Sequence, residues 1–249
     1  MRDFSEELWK FIGMLDAGEN FALNRFGDGE LTVINKKDFD MVGVGKVNEF
    51  SYFKDSEKYN YSRNLLEESF YNEQPNYFKG IPCHCCVLGN EALEIYNKLD
   101  KQDNWTWANI FVNGNYSDFK YYLPTTLENR KVIIVSHKKT KIDDLPFDVD
   151  AHITISSDAW VEDLEIIQEI IDTIEVYEWK DVVVLIAGGP FANIAVNELW
   201  KWNQNNTYLD IGSTLDPYLF GKPTRQYHAH NNPMGSKKCI WLDEVEEDE

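Results

Sequence analysis

The chain has 249 residues, 43% of them hydrophobic and 27% charged, with 24 Lys and Arg against 43 Asp and Glu, for a formal net charge of −19. This is the composition of a chain that folds, and the length suits one large α/β domain or two small ones. The acidic balance argues against a nucleic-acid partner, since phosphate contacts need a basic face. It leaves room for a phosphate-bearing small ligand, because a divalent cation reverses the local sign.

Six acids crowd into Asp243–Glu249, without which the balance would be −13. Such a run is expected to be a disordered, solvated tail, 243–249, behind a single domain over 1–242. The first residues, with Glu6 and Glu7 early and apolar positions at helical spacing, form an amphipathic helix rather than a secretory signal. No apolar run approaches the ~18 residues a membrane span needs. The expectation is a cytoplasmic protein with no membrane span.

In chain order, Phe4, Leu8, Phe11, Ile12 and Leu15 predict a helix over 4–16 that Gly18 ends. Residues 21–26 read as a strand running into Gly27-Asp28-Gly29-Glu30, after which Leu31, Val33 and Ile34 suggest a short helix or another strand. Residues 56–73 read as a helix, 77–86 as containing a strand, and 91–99 as a helix. The cluster Cys83-His84-Cys85-Cys86 invites a zinc reading, but no second ligand cluster stands at a suitable distance; buried, reduced thiols at a strand end fit better.

The second half has a clearer rhythm. Strands are predicted at 131–135, 151–155, 181–187 and 207–211, with a long amphipathic helix over 161–177 and another from Pro190 to about Asn203. Continuous apolar strands alternating with helices imply an α/β, Rossmann-like, doubly wound and mostly parallel sheet with helices on both faces.

In such sheets ligands bind beyond the carboxyl ends of the strands. Three segments place polar or glycine-rich residues there. In Arg25-Phe-Gly27-Asp28-Gly-Glu30, two carboxylates two residues apart face one side only if the chain is extended or turned. Their oxygens suit Mg²⁺ or Mn²⁺ shared with a diphosphate, and Arg25 could pair with the same phosphates; a plain solvated turn is the alternative. Gly188-Gly189-Pro190 presents a helix N-terminus to an anion, or is simply a tight turn. Asp210-Ile-Gly-Ser213, with Asp216, Arg225 and His228 downstream, resembles on its own the first motif of S-adenosylmethionine methyltransferases. That motif should open a nucleotide-binding half, whereas here it comes near the end of the chain, so a strand end at a ligand cleft fits better.

Taken together and in this order, the three segments resemble the GT-D-type glycosyltransferases, bacterial enzymes with a Rossmann-like sheet and a D-x-E motif. The resemblance spans about residues 5 to 230. It implies a metal-dependent glycosyltransferase moving a hexose, typically glucose, from a UDP-sugar to a glycan or glycoconjugate acceptor. Asp28 and Glu30 would then hold Mn²⁺ or Mg²⁺. Arg25, Gly27, Gly188, Gly189, Ser213 and Arg225 would contact the donor, and Asp210, Asp216 and His228 are the acid–base candidates. A non-catalytic nucleotide-sugar-binding module is the alternative from another class. The methyltransferase is a weaker one.

Overall fold

The computed structural model describes residues 3–41, 43, 50–83, 88, 91, 94 and 104–237. The expected helix over 91–99, most of the cysteine cluster and the acidic tail lie largely or wholly outside the described residues. Cys83 is buried and unoxidised.

Seven strands form one wholly parallel sheet: β1 (Ala22–Arg25), β2 (Tyr77–Ile81), β3 (Trp105–Trp107), β4 (Val132–His137), β5 (Ala151–Ile155), β6 (Val183–Ile186) and β7 (Thr207–Asp210). They lie in the order β3-β2-β1-β7-β6-β4-β5. The register sets Ala22 opposite both Tyr77 and Tyr208, and Ile186 opposite Asp210. The inner strands are short Val, Ile and Leu runs buried on both faces, as a parallel sheet covered by helices requires.

One face packs the helices Asp28–Ile34, Asn60–Tyr71, Ala159–Glu162, Ile166–Val176 and Pro190–Trp202, with Leu31, Leu66, Trp160, Ile170 and Phe191 in its core. The other packs Phe4–Asp16, Tyr116–Thr126 and the segment after β7, with Leu8, Phe11, Phe119 and Leu215 inside. The first helix starts where expected because the Asp3 carboxylate accepts from the amides of Ser5 and Glu6 at 2.8 and 3.0 Å, satisfying N-terminal donors. Among the described residues, no helix is long and apolar enough to cross a membrane.

One expectation changes. The long helix over 161–177 is two helices, Ala159–Glu162 and Ile166–Val176. Asp163 leaves helical geometry between them (φ −122°, ψ 29°) and turns its carboxylate to the amide of Ser156 at the end of β5. The strand expected within 77–86 is Tyr77–Ile81. Sequence reading also passed over β3 and the helix Tyr116–Thr126, which carries Pro124.

Behind the carboxyl edge, a buried amide ladder ties β1 and β2 to the helix Pro190–Trp202. Asn193, in the first turn of Pro190–Trp202, donates to Asn24 Oδ1 at 2.5 Å and to the Arg25 carbonyl at 3.0 Å. Asn24 donates in return to the Asn193 carbonyl at 2.9 Å and to the Tyr77 hydroxyl at 2.6 Å, and that hydroxyl donates to the Ser69 carbonyl at 2.9 Å. Burying these groups is tolerable because most of their donors and acceptors pair with one another, although Asn193 Oδ1 has no hydrogen-bond partner. Asn193→Ala would strand Asn24 Oδ1 and remove a donor from the Arg25 carbonyl. The expected loss is about 2–4 kcal/mol of stability, read from the midpoint of urea unfolding.

Candidate active site

The strand order explains why distant motifs meet. β1 and β7 are neighbours and β6 lies next to β7, so the segments after Arg25, Ile186 and Asp210 leave the same edge side by side. Asp210 holds that edge together. Its Oδ2 accepts from the backbone amide of Arg25 at 3.2 Å and its Oδ1 from the amide of Gly212 at 3.0 Å. The Arg25 guanidinium stands beside it, Nε 3.9 Å from Oδ2, with side-chain exposures of 14% and 6%. Burial raises the Asp210 carboxyl above its ordinary range, against the opposing pull of Arg25 and the two amides.

Arg25 is packed over Phe111, its Cζ 5.7 Å from the ring centroid, and its Nε and Nη1 are buried without hydrogen-bond partners. Gly212 makes this placement possible. Its φ is +51°, and a Cβ there would lie 2.4 Å from Arg25 Nη2. Leaving such donors unmet is costly, so a polar partner for them would be stabilising.

Asp28 and Glu30 lie in the first turn of the helix Asp28–Ile34 rather than on an extended chain, and Glu30 stands near enough to Asp28 for the two charges to couple. Asp28 is exposed and accepts from the Gly29 amide at 3.1 Å. Glu30 folds back to accept from the Gly27 amide at 2.9 Å, capping the helix start. Burial is the main cause that lifts the Glu30 carboxyl to about 7, and the nearby charges of Asp210 and Asp28 add to it. Among the described residues, no three His, Cys, Asp or Glu side chains form a group able to hold a metal ion. The donor set here is therefore carboxylate oxygens without a complete protein cage. That chemistry fits a hard cation completed by ligand and water, in surroundings where negative charge is already crowded.

Gly188 and Gly189 stand before Pro190–Trp202, and Gly189 takes φ +53°. The amides of Phe191 and Ala192 close short turns onto the Gly188 and Gly189 carbonyls at 3.2 and 2.9 Å, and Pro190 has no amide hydrogen. An anion at this terminus is left mainly with the glycine amides. Phe50 joins the two loops. A Cβ at Gly29 would lie 2.8 Å from its Cζ, and one at Gly189 would lie 4.0 Å from its Cδ1. The ring packs edge-on against Phe39 and Trp160, with centroids 5.1 and 5.7 Å away. Nothing in the Phe50-Ser51-Tyr52 sequence marks this residue.

The segment after β7 is locked from below. Ser213 Oγ and the Tyr227 hydroxyl are 2.7 Å apart, and Tyr116 stacks edge-on against Tyr227 at 4.9 Å. His228 Nδ1 accepts from the amides of both Thr224 and Arg225 at 3.1 Å, which assigns the ring hydrogen to Nε2. Burial pushes the imidazole down to about 4, so it is neutral at physiological pH. Asp216 opens the short helix Asp216–Leu219 half-exposed and accepts from the Thr224 hydroxyl at 2.5 Å, while Arg225, next to Thr224 in the chain, is exposed.

The geometry thus defines a Rossmann-like protein with cationic, carboxylate and helix-terminal groups gathered at one carboxyl edge. No family model matches the sequence, and no curated protein matches it. Solved structures do share its fold. It is similar to a new glycosyltransferase (DUF1792) from Streptococcus sanguinis, 16% identical with a TM-score of 0.57, covering 97% of this chain and 92% of that one. It is also similar to a domain of unknown function 1792 with a distinct glycosyltransferase fold, 15% identical with a TM-score of 0.56, covering 96% and 88%. The fold is therefore the one that the motif order implied.

Two outcomes follow from the site. Gly212→Ala should displace the Arg25 guanidinium from Asp210 and cost about 1–2 kcal/mol through strain at positive φ, measured by thermal unfolding. Glu30 has a folded value of about 7 against an ordinary 4.5, so the folded state binds its proton more tightly. The stability this contributes is full below the ordinary value and is lost as pH rises through the folded one. Glu30→Gln should therefore raise the melting temperature at pH 8, by about 3 °C or more, and change it little at pH 4.

Proposed function

We propose that the protein is a metal-dependent glycosyltransferase that moves a hexose from a UDP-sugar to a glycan or glycoconjugate acceptor. The observation that carries this reading is the buried Arg25, with unspent donors, set among the carboxylates of Asp210, Glu30 and Asp28 at the carboxyl edge. Charges of both signs are what a nucleoside diphosphate held through a cation needs. The shared fold of the solved glycosyltransferases supports it.

Asp28 and Glu30 would hold Mn²⁺ or Mg²⁺, which when bound supplies charge neutralisation for a leaving diphosphate. Arg25 adds preorganised hydrogen bonds to the same phosphates, and the Gly188 and Gly189 amides, at a positive helix end, add more. Gly27 keeps the turn close to the donor, and Arg225 borders the cleft from the last loop. Ser213 acts through Tyr227, fixing that loop.

Among the three acid–base candidates, Asp216 is the best proton acceptor for an acceptor hydroxyl. Asp210 already spends its oxygens on Arg25 and Gly212, and neutral His228 presents a hydrogen rather than a lone pair at Nε2. Those two position the site.

UDP should raise the melting temperature only with Mn²⁺ or Mg²⁺ present, by ligand linkage. Asp28→Asn with Glu30→Gln should abolish that shift, and equal UDP binding by the double variant would refute the metal assignment. Asp216→Asn should keep UDP binding while slowing release of UDP from UDP-glucose by about 10²–10⁴-fold. Binding of UDP without any such release by the wild type would instead mark a non-catalytic binding module.

A further inference from the structure

A broad cleft lies at the opposite end of the sheet from the candidate site. It is open, about 920 Å³ in volume, and sits where the turns before β6 and β7 enter the strands. Trp179 and Trp202 line it with Asn203, Asn205, Glu175 and Glu178. A second cleft of about 480 Å³ shares Trp202 and continues to Tyr61, which is 68% exposed. Leu65, Leu164, Ile167 and Ile171 line that second cleft, whereas the larger one sets its two tryptophans among amides and carboxylates.

We propose that the larger cleft binds a neutral oligosaccharide, apart from the candidate active site. Sugar rings present apolar C–H faces that stack on indole and phenol rings, and hydroxyls that need amide and carboxylate partners. The cleft offers both. Charge selects against other ligands of similar size: Glu175, Glu178 and Asp181 face one lysine, Lys180, in the larger cleft, which opposes phosphates and sulfated polymers. A protein partner fits less well, because Ile174 is the lone aliphatic side chain lining that cleft.

The turn bearing Trp179 is also preorganised. Glu178 and Asp181 both adopt positive φ, 52° and 53°, a strained geometry that the surroundings must hold in place. The Trp179 amide donates to the Ile174 carbonyl at 3.0 Å, and Arg130 Nη2 donates to the Asp181 carbonyl at 3.1 Å. Trp179 stacks on Tyr177 with centroids 4.9 Å apart and an 18° tilt, and Lys131 Nζ lies 5.6 Å from its ring. Across the cleft, Asn206 accepts from the Val182 amide at 3.0 Å and donates to the Tyr208 hydroxyl at 3.1 Å, fastening one wall to the other. A rigid aromatic platform loses little entropy when a ligand stacks on it.

This proposal does not rest on the transferase reading, since a glycan would bind here whether or not UDP binds at the other edge. The test is titration of the full chain, by calorimetry and intrinsic tryptophan fluorescence, with maltohexaose, cellohexaose, laminarihexaose and chitohexaose, and with dextran sulfate as the anionic control. At least one neutral hexasaccharide should bind with a Kd of about 1 mM or tighter, and dextran sulfate should not. Trp179→Ala should weaken binding about tenfold or more. Asn205→Ala, an exposed change that leaves the fold alone, should weaken it several-fold, and neither variant should alter the melting shift given by UDP with Mn²⁺. No binding of any of the four sugars at about 10 mM would overturn the proposal. So would binding that survives both substitutions, or a wild-type dimer that Trp179→Ala converts to monomer while no sugar binds.

Discussion

The contact between Asp210 and Arg25 is the constraint on which the carboxyl edge depends. Asp210 ends β7, Arg25 ends the neighbouring β1, and the carboxylate fastens the Arg25 amide and the Gly212 amide at once. Removing either charge alone would leave the other buried and poorly compensated, which is the costly way to break such a pair. Because the carboxylate is already committed, it orients the guanidinium without quenching it, and the buried Nε and Nη1 remain for something else. Gly212 matters for a steric reason: no side chain fits between its backbone and the arginine.

The same pair makes sense of an acidic protein that would hold a diphosphate. Over the whole chain the balance is −19, which repels anions at long range. At the edge, one sheltered arginine, the amides before a helix and two carboxylates suited to a hard cation act within a few ångströms, where solvent screens them less. The upward displacement of the Glu30 and Asp210 carboxyls is the electrostatic cost of crowding acids out of water, and a cation is what would relieve it.

How much of this is legible in the sequence depends on the range of the forces involved. β4 and β6 announce themselves as Val, Ile and Leu runs, because a strand buried on both faces needs nothing else. β3 does not, since Trp105-Thr-Trp107 is three residues with no run, and the helix Tyr116–Thr126 hides behind Pro124 and an Asn-Gly-Asn start. Asp163 breaks a helix for the sake of an amide on β5, a partner no periodicity can reveal. The three site motifs are visible as strand-end punctuation. Their chemistry is not, because it depends on tertiary partners: Glu30 turns to Gly27, His228 spends Nδ1 on two amides, and Phe50 bridges Gly29 and Gly189.

The strand order adds a last consequence. β7 is the last strand among the described residues, yet it lies at the centre of the sheet, between β1 and β6. Until it is in place, the sheet is two separate blocks, β3-β2-β1 and β6-β4-β5, each with a bare edge at what will become the interior. Inserting β7 closes the core and delivers Asp210 to Arg25 in the same event, so the candidate site forms only when the fold does. The closure entropy of bringing Ala22 to Tyr208 is met by the same burial that orders the site. A site assembled this way is coupled to global stability: loosening the Asn24–Asn193 ladder, which clamps β1 to the helix leading into β7, disturbs the position of Arg25 even though neither asparagine side chain needs to touch a ligand.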